Sequence, residues 1–271
     1  MKKLFLATSH VASAVAAVAL TLASVPALAQ SPFDGTWKTD LSKITFPTKP
    51  TELFFKDGMY DCKSCVYRTV VKTDGADQKV DGNPYTDTIA VKIADKNTVE
   101  ITSKKGGKQS GWTKRTVAAD GKSMTLEFKN VSPANGEVTT GTTLFKRIDK
   151  QPAGAHAASG SWVATKALSR SANSNTLTYK SSGDTMSMSS PGGQSYNAKT
   201  DGSDSPLKGD PGTTAVAVKM VGKNGMEETF KRDGKVTGVN KRAMDAGGKS
   251  MKVDWENKLA GTSGNFVMVK Q

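Results

Sequence analysis

The stretch Val71–Asn130, which begins VKTDGADQKV and ends SMTLEFKN, occurs twice in this chain. Shifted by 127 positions, it aligns without a gap on Ala198–Asn257, with 27 identities among the 60 pairs. The agreement is clearest in two segments: Lys72-Thr73-Asp74-Gly75 recurs as Lys199-Thr200-Asp201-Gly202, and Gly121-Lys122-Ser123-Met124 recurs as Gly248-Lys249-Ser250-Met251. A long period that occurs only twice predicts two tandem domains rather than a solenoid.

The two halves also open alike, with Gly35-Thr36-Trp37 in the first and Gly160-Ser161-Trp162 in the second. Residues 149–158 between them are small, polar and broken by Pro and Gly, which is typical of a linker. We therefore expect one domain over residues 30–150 and its repeat over residues 151–271. Each domain is then long enough to bury a core of its own.

The N-terminus predicts export. Lys2 and Lys3 precede an apolar, Ala-rich run, and Ala27-Leu28-Ala29 matches the small-x-small cleavage pattern. These features are typical of a secretory signal peptide over residues 1–29, with the mature chain starting near Gln30. No later stretch approaches the ~20 apolar residues that a transmembrane span requires. The mature protein is expected in the periplasm or outside the cell.

Apolar residues alternate with polar ones along the mature chain. Ile89, Val91 and Ile93 share one face of a predicted strand, which is the period of two expected for β-structure. Gly106-Gly107 suits a tight hairpin turn. The pattern predicts an all-β fold of about eight short strands per domain and no helix in the mature chain. Evenly spaced hairpins favour two antiparallel up-and-down barrels, since closure removes exposed strand edges.

The Gly-x-Trp triplet that opens each half resembles the signature on the first strand of lipocalins and other calycin barrels. In that family a basic residue on the last strand packs across the Trp. The resemblance assigns this role to Lys146 or Arg147 in the first domain, beside Gly35 and Trp37, and Arg147 is the preferred candidate. In the second domain, beside Gly160 and Trp162, only Lys270 is present, and an ammonium group cannot stack like a guanidinium.

The whole chain also resembles a group of exported bacterial proteins that share the Gly-Thr-Trp-Lys opening and the stretch Asp57–Cys65 (DGMYDCKSC). That second resemblance implies no particular activity. The lipocalin resemblance implies that a small apolar ligand binds in a barrel mouth. An eight-strand barrel is either filled by its own side chains or holds one small ligand, and the sequence leaves both possibilities open.

Cys62 and Cys65 are the two cysteines of the chain, and export favours their oxidation to a local disulfide. A thioredoxin-like redox pair requires a βαβ context, whereas the surroundings here are strand and turn. Haem attachment requires His where Val66 stands. Zinc requires further ligands, and the mature chain contains one histidine, His156. We expect no metal and no cofactor.

The chain carries a formal net charge of +13 at pH 7, and most of the excess falls in predicted turns. A solvated surface explains it. Attraction to an anionic envelope lipid or polysaccharide is the alternative. Nucleic acid is not an expected partner, because the protein is exported and lacks a recognition motif.

Glu100 and Lys114-Arg115 recur as Glu227 and Lys241-Arg242. If Gly106-Gly107 forms the turn, Glu100 lies across from Thr113 and diagonal to Arg115. We expect a solvent-exposed cross-strand ion pair, with a charged binding surface as the alternative.

Methionine is concentrated in the second half, at positions 186, 188, 220, 226, 244, 251 and 268. A core explains most of these residues, and an adaptable apolar pocket is the alternative. Met186-Ser187-Met188 also suggests copper(I), but no third soft ligand is evident.

Catalysis has little support. His156, the one histidine of the mature chain, lies in the predicted linker, which excludes Ser–His and Cys–His nucleophile systems within the barrels. No carboxylate pair is placed by its spacing as acid and base, so we assign no catalytic residue. The sequence favours an exported, non-catalytic protein that binds a small apolar or amphipathic ligand, with no individual ligand-binding residue assigned. The alternative is a structural or interaction module of the cell envelope.

Overall fold

The computed structural model describes residues 31–271, and the predicted signal peptide over residues 1–29 lies outside the described residues. The described residues form twenty β-strands and one 3₁₀ helix, Ala172–Ser174. The strands are β1 (Gly35–Thr45), β2 (Thr51–Lys56), β3 (Met59–Cys62), β4 (Thr69–Lys72), β5 (Gln78–Lys79), β6 (Thr88–Asp95), β7 (Thr98–Lys105), β8 (Lys108–Val117), β9 (Ser123–Val131), β10 (Val138–Arg147), β11 (Gly160–Arg170), β12 (Thr176–Ser182), β13 (Thr185–Ser189), β14 (Ser195–Lys199), β15 (Asp201–Lys208), β16 (Ala215–Val221), β17 (Gly225–Arg232), β18 (Lys235–Met244), β19 (Ser250–Asn257) and β20 (Thr262–Lys270).

The strands form two antiparallel sheets of ten strands each, which confirms the all-β, two-barrel prediction. The expected count of about eight strands per barrel is wrong. One strand of the first half that the alternation does not predict is β5, two polar residues in a segment rich in Asp, Gly and Pro. Its counterpart β15 contains Pro206 and also lacks apolar alternation. Backbone pairing creates these strands, so a search for apolar periodicity misses them.

Strands β2–β11 form the first barrel, and β12–β20 together with β1 form the second barrel. The second barrel closes through backbone pairing, because β1 pairs with both β12 and β20. The first barrel is nearly closed, with β4 and β5 at its edges. There the Gln78 side chain accepts a hydrogen bond from the Lys72 N–H at 2.8 Å and donates one to the Lys72 carbonyl at 2.9 Å.

The opening strands of the two halves have exchanged barrels. Strand β11, from the second half, lies between β10 and β2 of the first barrel. Strand β1, from the first half, fills the corresponding place in the second barrel. The division expected at residue 150 therefore falls between two paired strands of one sheet. The first barrel spans residues 51–170, and the second combines residues 35–45 with residues 176–270.

Sequence proximity explains the exchange. Strands β10 and β11 follow one another along the chain and pair antiparallel from Gly141↔Arg170 to Arg147↔Trp162. Consecutive antiparallel strands usually pair with each other. Because β11 then occupies the place beside β2 that β1 would take, β1 is free to close the sheet of the second barrel.

The Gly-x-Trp triplets have a structural reason. Gly35 and Gly160 adopt φ of 126° and 124°, a region that disfavours residues with a Cβ. A Cβ at Gly160 would lie 2.5 Å from Nη1 of Arg147, and one at Gly35 would lie 2.7 Å from Cε of Lys270. The glycines therefore leave room for a basic side chain to cross the strand.

A basic side chain lies over the ring of Trp37 and of Trp162, and in both cases the two residues come from different halves of the chain. The Arg147 guanidinium lies 4.1 Å from the ring of Trp162, and the Lys270 ammonium lies 5.4 Å from the ring of Trp37. The expected partner of Arg147 within its own half was Trp37. The strand exchange explains the difference. Strand β11 carries Trp162 into the first barrel, where it lies beside Arg147 of β10.

The predicted disulfide is confirmed. Cys62 and Cys65 are bonded, with their Cα atoms 5.4 Å apart, at the turn after β3. Cys62 is fully buried in the core of the first barrel. The bridge thus fastens this turn to the barrel wall.

Candidate ligand-binding site in the second barrel

The inner face of the second barrel is apolar at the level of Trp37. This aromatic ring is fully buried, and its indole N–H donates to the Phe33 carbonyl at 2.7 Å. Five methionines of the second half pack as buried core residues: Met186, Met226, Met244, Met251 and Met268. The core interpretation therefore holds for these five residues.

A polar cluster interrupts this apolar interior, and we call it the polar floor. Its members are Tyr179, Tyr196, Glu228 and Arg242, which are between 1% and 5% exposed. Glu228 accepts hydrogen bonds at Oε1 from the hydroxyls of Tyr179 and Tyr196, at 2.7 and 2.5 Å. At Oε2 it accepts from Nε of Arg242 at 2.8 Å. Charge-assisted hydrogen bonds of this kind are about twice as strong as neutral ones.

Strand alternation positions these groups. Glu228 lies between Met226 and Phe230 on the inner face of β17, and Arg242 faces inward from the neighbouring strand β18. The tyrosines come from the opposite part of the wall, on β12 and β14. Four strands therefore converge on one carboxylate.

The polar floor is charged but internally neutral. Burial alone would raise the pKa of Glu228, but the Arg242 charge and the two tyrosine hydroxyls outweigh it and leave that pKa below its ordinary value. Burial raises the pKa of Tyr179 and Tyr196 well above the usual range, and the adjacent carboxylate adds to the rise. At neutral pH we therefore assign an ionised Glu228, a charged Arg242 and two protonated tyrosines.

A cleft of about 1210 Å³ reaches this floor. Tyr179, Glu228 and Arg242 form part of its lining, and Asn240 lies beside them. Six apolar side chains complete the wall within the barrel: Leu177, Met188, Leu207, Phe230, Phe266 and Met268. The second barrel is therefore packed on one side of the floor, whereas the other side faces a cleft that residues of the first barrel also line.

A second pocket of about 440 Å³ adjoins the mouth, with Phe230, Asn240 and Phe266 lining both spaces. Loops of the first barrel help to enclose it. Tyr85 lines both pockets, and its hydroxyl donates to Oδ1 of Asp210 at 2.6 Å. A Cβ at Gly212 would collide with the Tyr85 ring, so this glycine lets the two barrels approach closely.

The residues singled out from the sequence lie elsewhere. Gly35, Trp37, Arg147, Gly160 and Trp162 line neither pocket, and neither does the disulfide. They stabilise strand ends and the exchanged strands. Of the paired methionines on β13, Met186 belongs to the buried core, whereas Met188 lines the cleft.

The expected register of Glu100 is wrong by one residue. Glu100 lies across from Lys114, not from Thr113, because the ladder shifts between Ser103 and Lys104. Glu100 and Arg115 therefore face opposite sides of the sheet. In the second barrel, Glu227 forms the expected exposed ion pair, with Lys241 at 3.9 Å.

The sequence reasoning missed Glu228, the central group of the site. The signal was present, because a period of two places Glu228 on the same face as Met226 and Phe230. An acid on an apolar strand face predicts a buried carboxylate that requires a partner. The partner was also visible, since Arg242 falls on the inner face of the next strand.

No family model matches the chain, and no curated protein matches it. Within residues 31–271, no helix has the length and apolar character needed to cross a membrane. The same residues contain no group of three or more His, Cys, Asp or Glu side chains arranged to hold a metal ion. Any functional assignment must therefore come from the site itself.

Proposed function

We propose that this protein, after export, binds a small amphipathic molecule in the second barrel, in the manner of lipocalin-like barrels and without catalysis. The observation that carries the proposal is the cleft above the polar floor. Ligand sites typically combine apolar walls with a few placed polar groups. Here the walls are Leu177, Met188, Phe230 and Phe266, and the polar groups belong to the floor.

The donors of the polar floor that remain free within the described part of the chain suggest the chemical type of the ligand's head group. Arg242 uses Nε on Glu228 and Nη1 on the sulfur of Met268, whereas its Nη2 bonds no other described residue. Asn240 donates only a long hydrogen bond of 3.4 Å to Glu228. These groups suit a neutral head group that accepts hydrogen bonds, such as a carbonyl or hydroxyl, because Glu228 already balances the Arg242 charge.

The same network argues against catalysis at this carboxylate. A general base needs a pKa near the working pH and a free lone pair facing the substrate. Glu228 has a lowered pKa, and both of its carboxylate oxygens already accept hydrogen bonds from protein groups. Its role is therefore to hold the floor together.

Native mass spectrometry on mature protein purified from its own envelope, before and after organic extraction, tests the proposal. A discrete additional mass that extraction removes is the expected result. Binding of the neutral fluorophore N-phenyl-1-naphthylamine then locates the site. Leu177→Trp, which fills the cleft, should weaken this binding at least roughly tenfold.

The matched control is Leu168→Trp, at an exposed position on β11 that lines neither pocket. It should bind the fluorophore as the wild type does. Circular dichroism verifies that both variants are folded. Equal affinity in all three proteins, together with a bare native mass, would refute a ligand site in the second barrel.

A further inference from the structure

The repeat allows the buried Arg242 of the second barrel to be compared with its counterpart in the first barrel. Arg115 on β8 corresponds to Arg242 on β18, and each pairs across the sheet with an apolar residue of the following strand. The position of Glu228, however, is occupied by Ile101 in the first barrel. The first barrel therefore has the guanidinium, at Arg115, but has an apolar residue where the second barrel has the neutralising carboxylate.

A second guanidinium enters the same interior from the exchanged strand. Arg170 on β11 donates from Nη2 to the Thr143 hydroxyl at 2.8 Å, and its guanidinium lies 5.0 Å from the ring of Phe128. Thr143 is only 5% exposed. A Cβ at Gly141 would collide with both Phe128 and Arg170, so this glycine allows the arginine to cross the inner face.

The register brings the two arginines to one region. Phe128, over which Arg170 lies, is paired directly with Thr113 on β8. Nη1 of Arg115 donates to the Thr113 hydroxyl at 2.8 Å. Side chains paired directly across antiparallel strands have Cβ atoms about 4.5–5.5 Å apart. Both guanidiniums therefore lie beside the Thr113–Phe128 pair.

Neither arginine has an acidic partner within residues 31–271. Burial lowers the pKa of both guanidiniums. Both side chains nevertheless remain partly exposed although they face inward, so solvent reaches this part of the barrel. Two partly desolvated charges of one sign in one region favour an anion beside them.

An entry route adjoins this region. The cleft described above extends to Ser103 and Gly111 at the rim of the first barrel, and Gly111 is the next inward position after Thr113. Lys105 and Lys108 line the same end of the cleft. The positive charge of these two lysines attracts anions to this end of the cleft.

We propose that the first barrel binds the carboxylate of a small amphipathic acid between Arg115 and Arg170. The chain itself supplies the example, because a carboxylate occupies the corresponding place against Arg242 in the second barrel. Thr113 and Thr143 provide hydroxyls beside the anion, and Phe128 provides an apolar surface for the ligand's body. Its binding residues are distinct from those of the polar floor, although one cleft adjoins both, and the proposal does not depend on the function proposed for the second barrel.

Isothermal titration calorimetry of the mature chain with octanoate tests this site, with octan-1-ol as the uncharged comparison. Octanoate should bind and octan-1-ol should not compete for its site. Arg115→Met and Arg170→Met, which remove the charge and retain an apolar stem, should each weaken octanoate binding at least roughly tenfold. Arg68→Met, at an exposed arginine paired with Asp61, should leave it unchanged.

Ile101→Glu gives a second, independent variant. It restores the carboxylate found in the second barrel and should abolish octanoate binding while every arginine remains in place. Leu177→Trp, which fills the cleft beside the polar floor of the second barrel, leaves its far end at Ser103 and Gly111 open and should have no effect on octanoate. Absence of octanoate binding up to about 10 mM would overturn the proposal. So would binding that survives both Arg115→Met and Ile101→Glu, or binding that only Leu177→Trp removes.

Discussion

Glu228→Gln removes one negative charge from the polar floor and leaves the shape of the side chain nearly unchanged. Arg242 is 5% exposed, and Glu228 is its acidic partner at 2.8 Å. The substitution therefore leaves a buried guanidinium without a counter-ion. Breaking a buried ion pair by removing one partner costs about 3–5 kcal/mol. The two tyrosine hydroxyls also lose a charged acceptor, but this loss belongs to the same network and is not added separately.

Urea unfolding followed by tryptophan fluorescence measures the loss. The tryptophans Trp37 and Trp162 lie in different barrels, so both barrels contribute to the signal. The matched control is Glu227→Gln, the adjacent residue on the outer face, whose ion pair with Lys241 is exposed. Exposed pairs contribute about 0–1 kcal/mol, so the two neighbouring substitutions should differ by at least ~2 kcal/mol.

A double variant separates charge from packing. Glu228→Ile with Arg242→Met replaces the pair by apolar side chains, following Ile101 of the first barrel. Such replacement of a buried pair is often neutral or stabilising, so the double variant should be more stable than Glu228→Gln. If Glu228→Gln costs no more than Glu227→Gln, the floor does not depend on its carboxylate, and the reasoning is refuted.

Three further predictions concern the floor's titration, the strand signature and the disulfide. The pKa of Glu228 is lower in the folded protein than in the unfolded chain, where it is about 4.3. Ionised Glu228 therefore stabilises the fold above that pH, and this contribution is lost as the pH falls through the folded-state pKa. The stability difference between wild type and Glu228→Gln should thus be constant above about pH 5.5 and shrink in acid; a difference that grows in acid would contradict the assignment. Gly160→Ala forces a Cβ to positive φ beside a guanidinium and should cost about 1–3 kcal/mol in urea unfolding. Gly247→Ala, where a Cβ meets nothing within 4 Å, should be nearly neutral, and an equal effect of both would exclude the steric explanation. Replacing Cys62 and Cys65 by Ser opens a loop with a sequence separation of 3. The chain-entropy estimate for so short a loop is about 2 kcal/mol, and a loss of both barrels in circular dichroism would show a larger role for the bridge.

Local patterns predicted much of the fold. The apolar alternation of Ile89, Val91 and Ile93 identified a strand because strand periodicity is local. Predicted export, together with the lack of a redox, haem or zinc context, predicted the local disulfide of Cys62 and Cys65. The polar two-residue strand β5 was not predicted, because nothing in its side chains distinguishes it from a loop. The register of Glu100 was wrong because a bulge in the ladder leaves no composition signal.

The candidate site likewise depends in part on local sequence and in part on long-range structure. Glu228 and Arg242 could be placed on inner strand faces from the sequence, yet Tyr179 and Tyr196 lie more than thirty residues upstream of Glu228. Barrel closure is what brings them to one carboxylate. Arg170 could not be linked with Arg115 at all, because its strand was expected in the other barrel.

The sequence by itself determined that this chain contains a duplicated all-β unit with a Gly-x-Trp strand opening each copy and one local disulfide. Only the tertiary structure decided which barrel each opening strand joins and which inward polar side chains meet. The physical reason is that β1 and β11 open with nearly the same Gly-x-Trp sequence. Either strand can therefore form the backbone hydrogen bonds at the sheet edge and bury its tryptophan in the core. Chain connectivity between β10 and β11 resolves that choice, and connectivity acts through three-dimensional proximity rather than through residue preference.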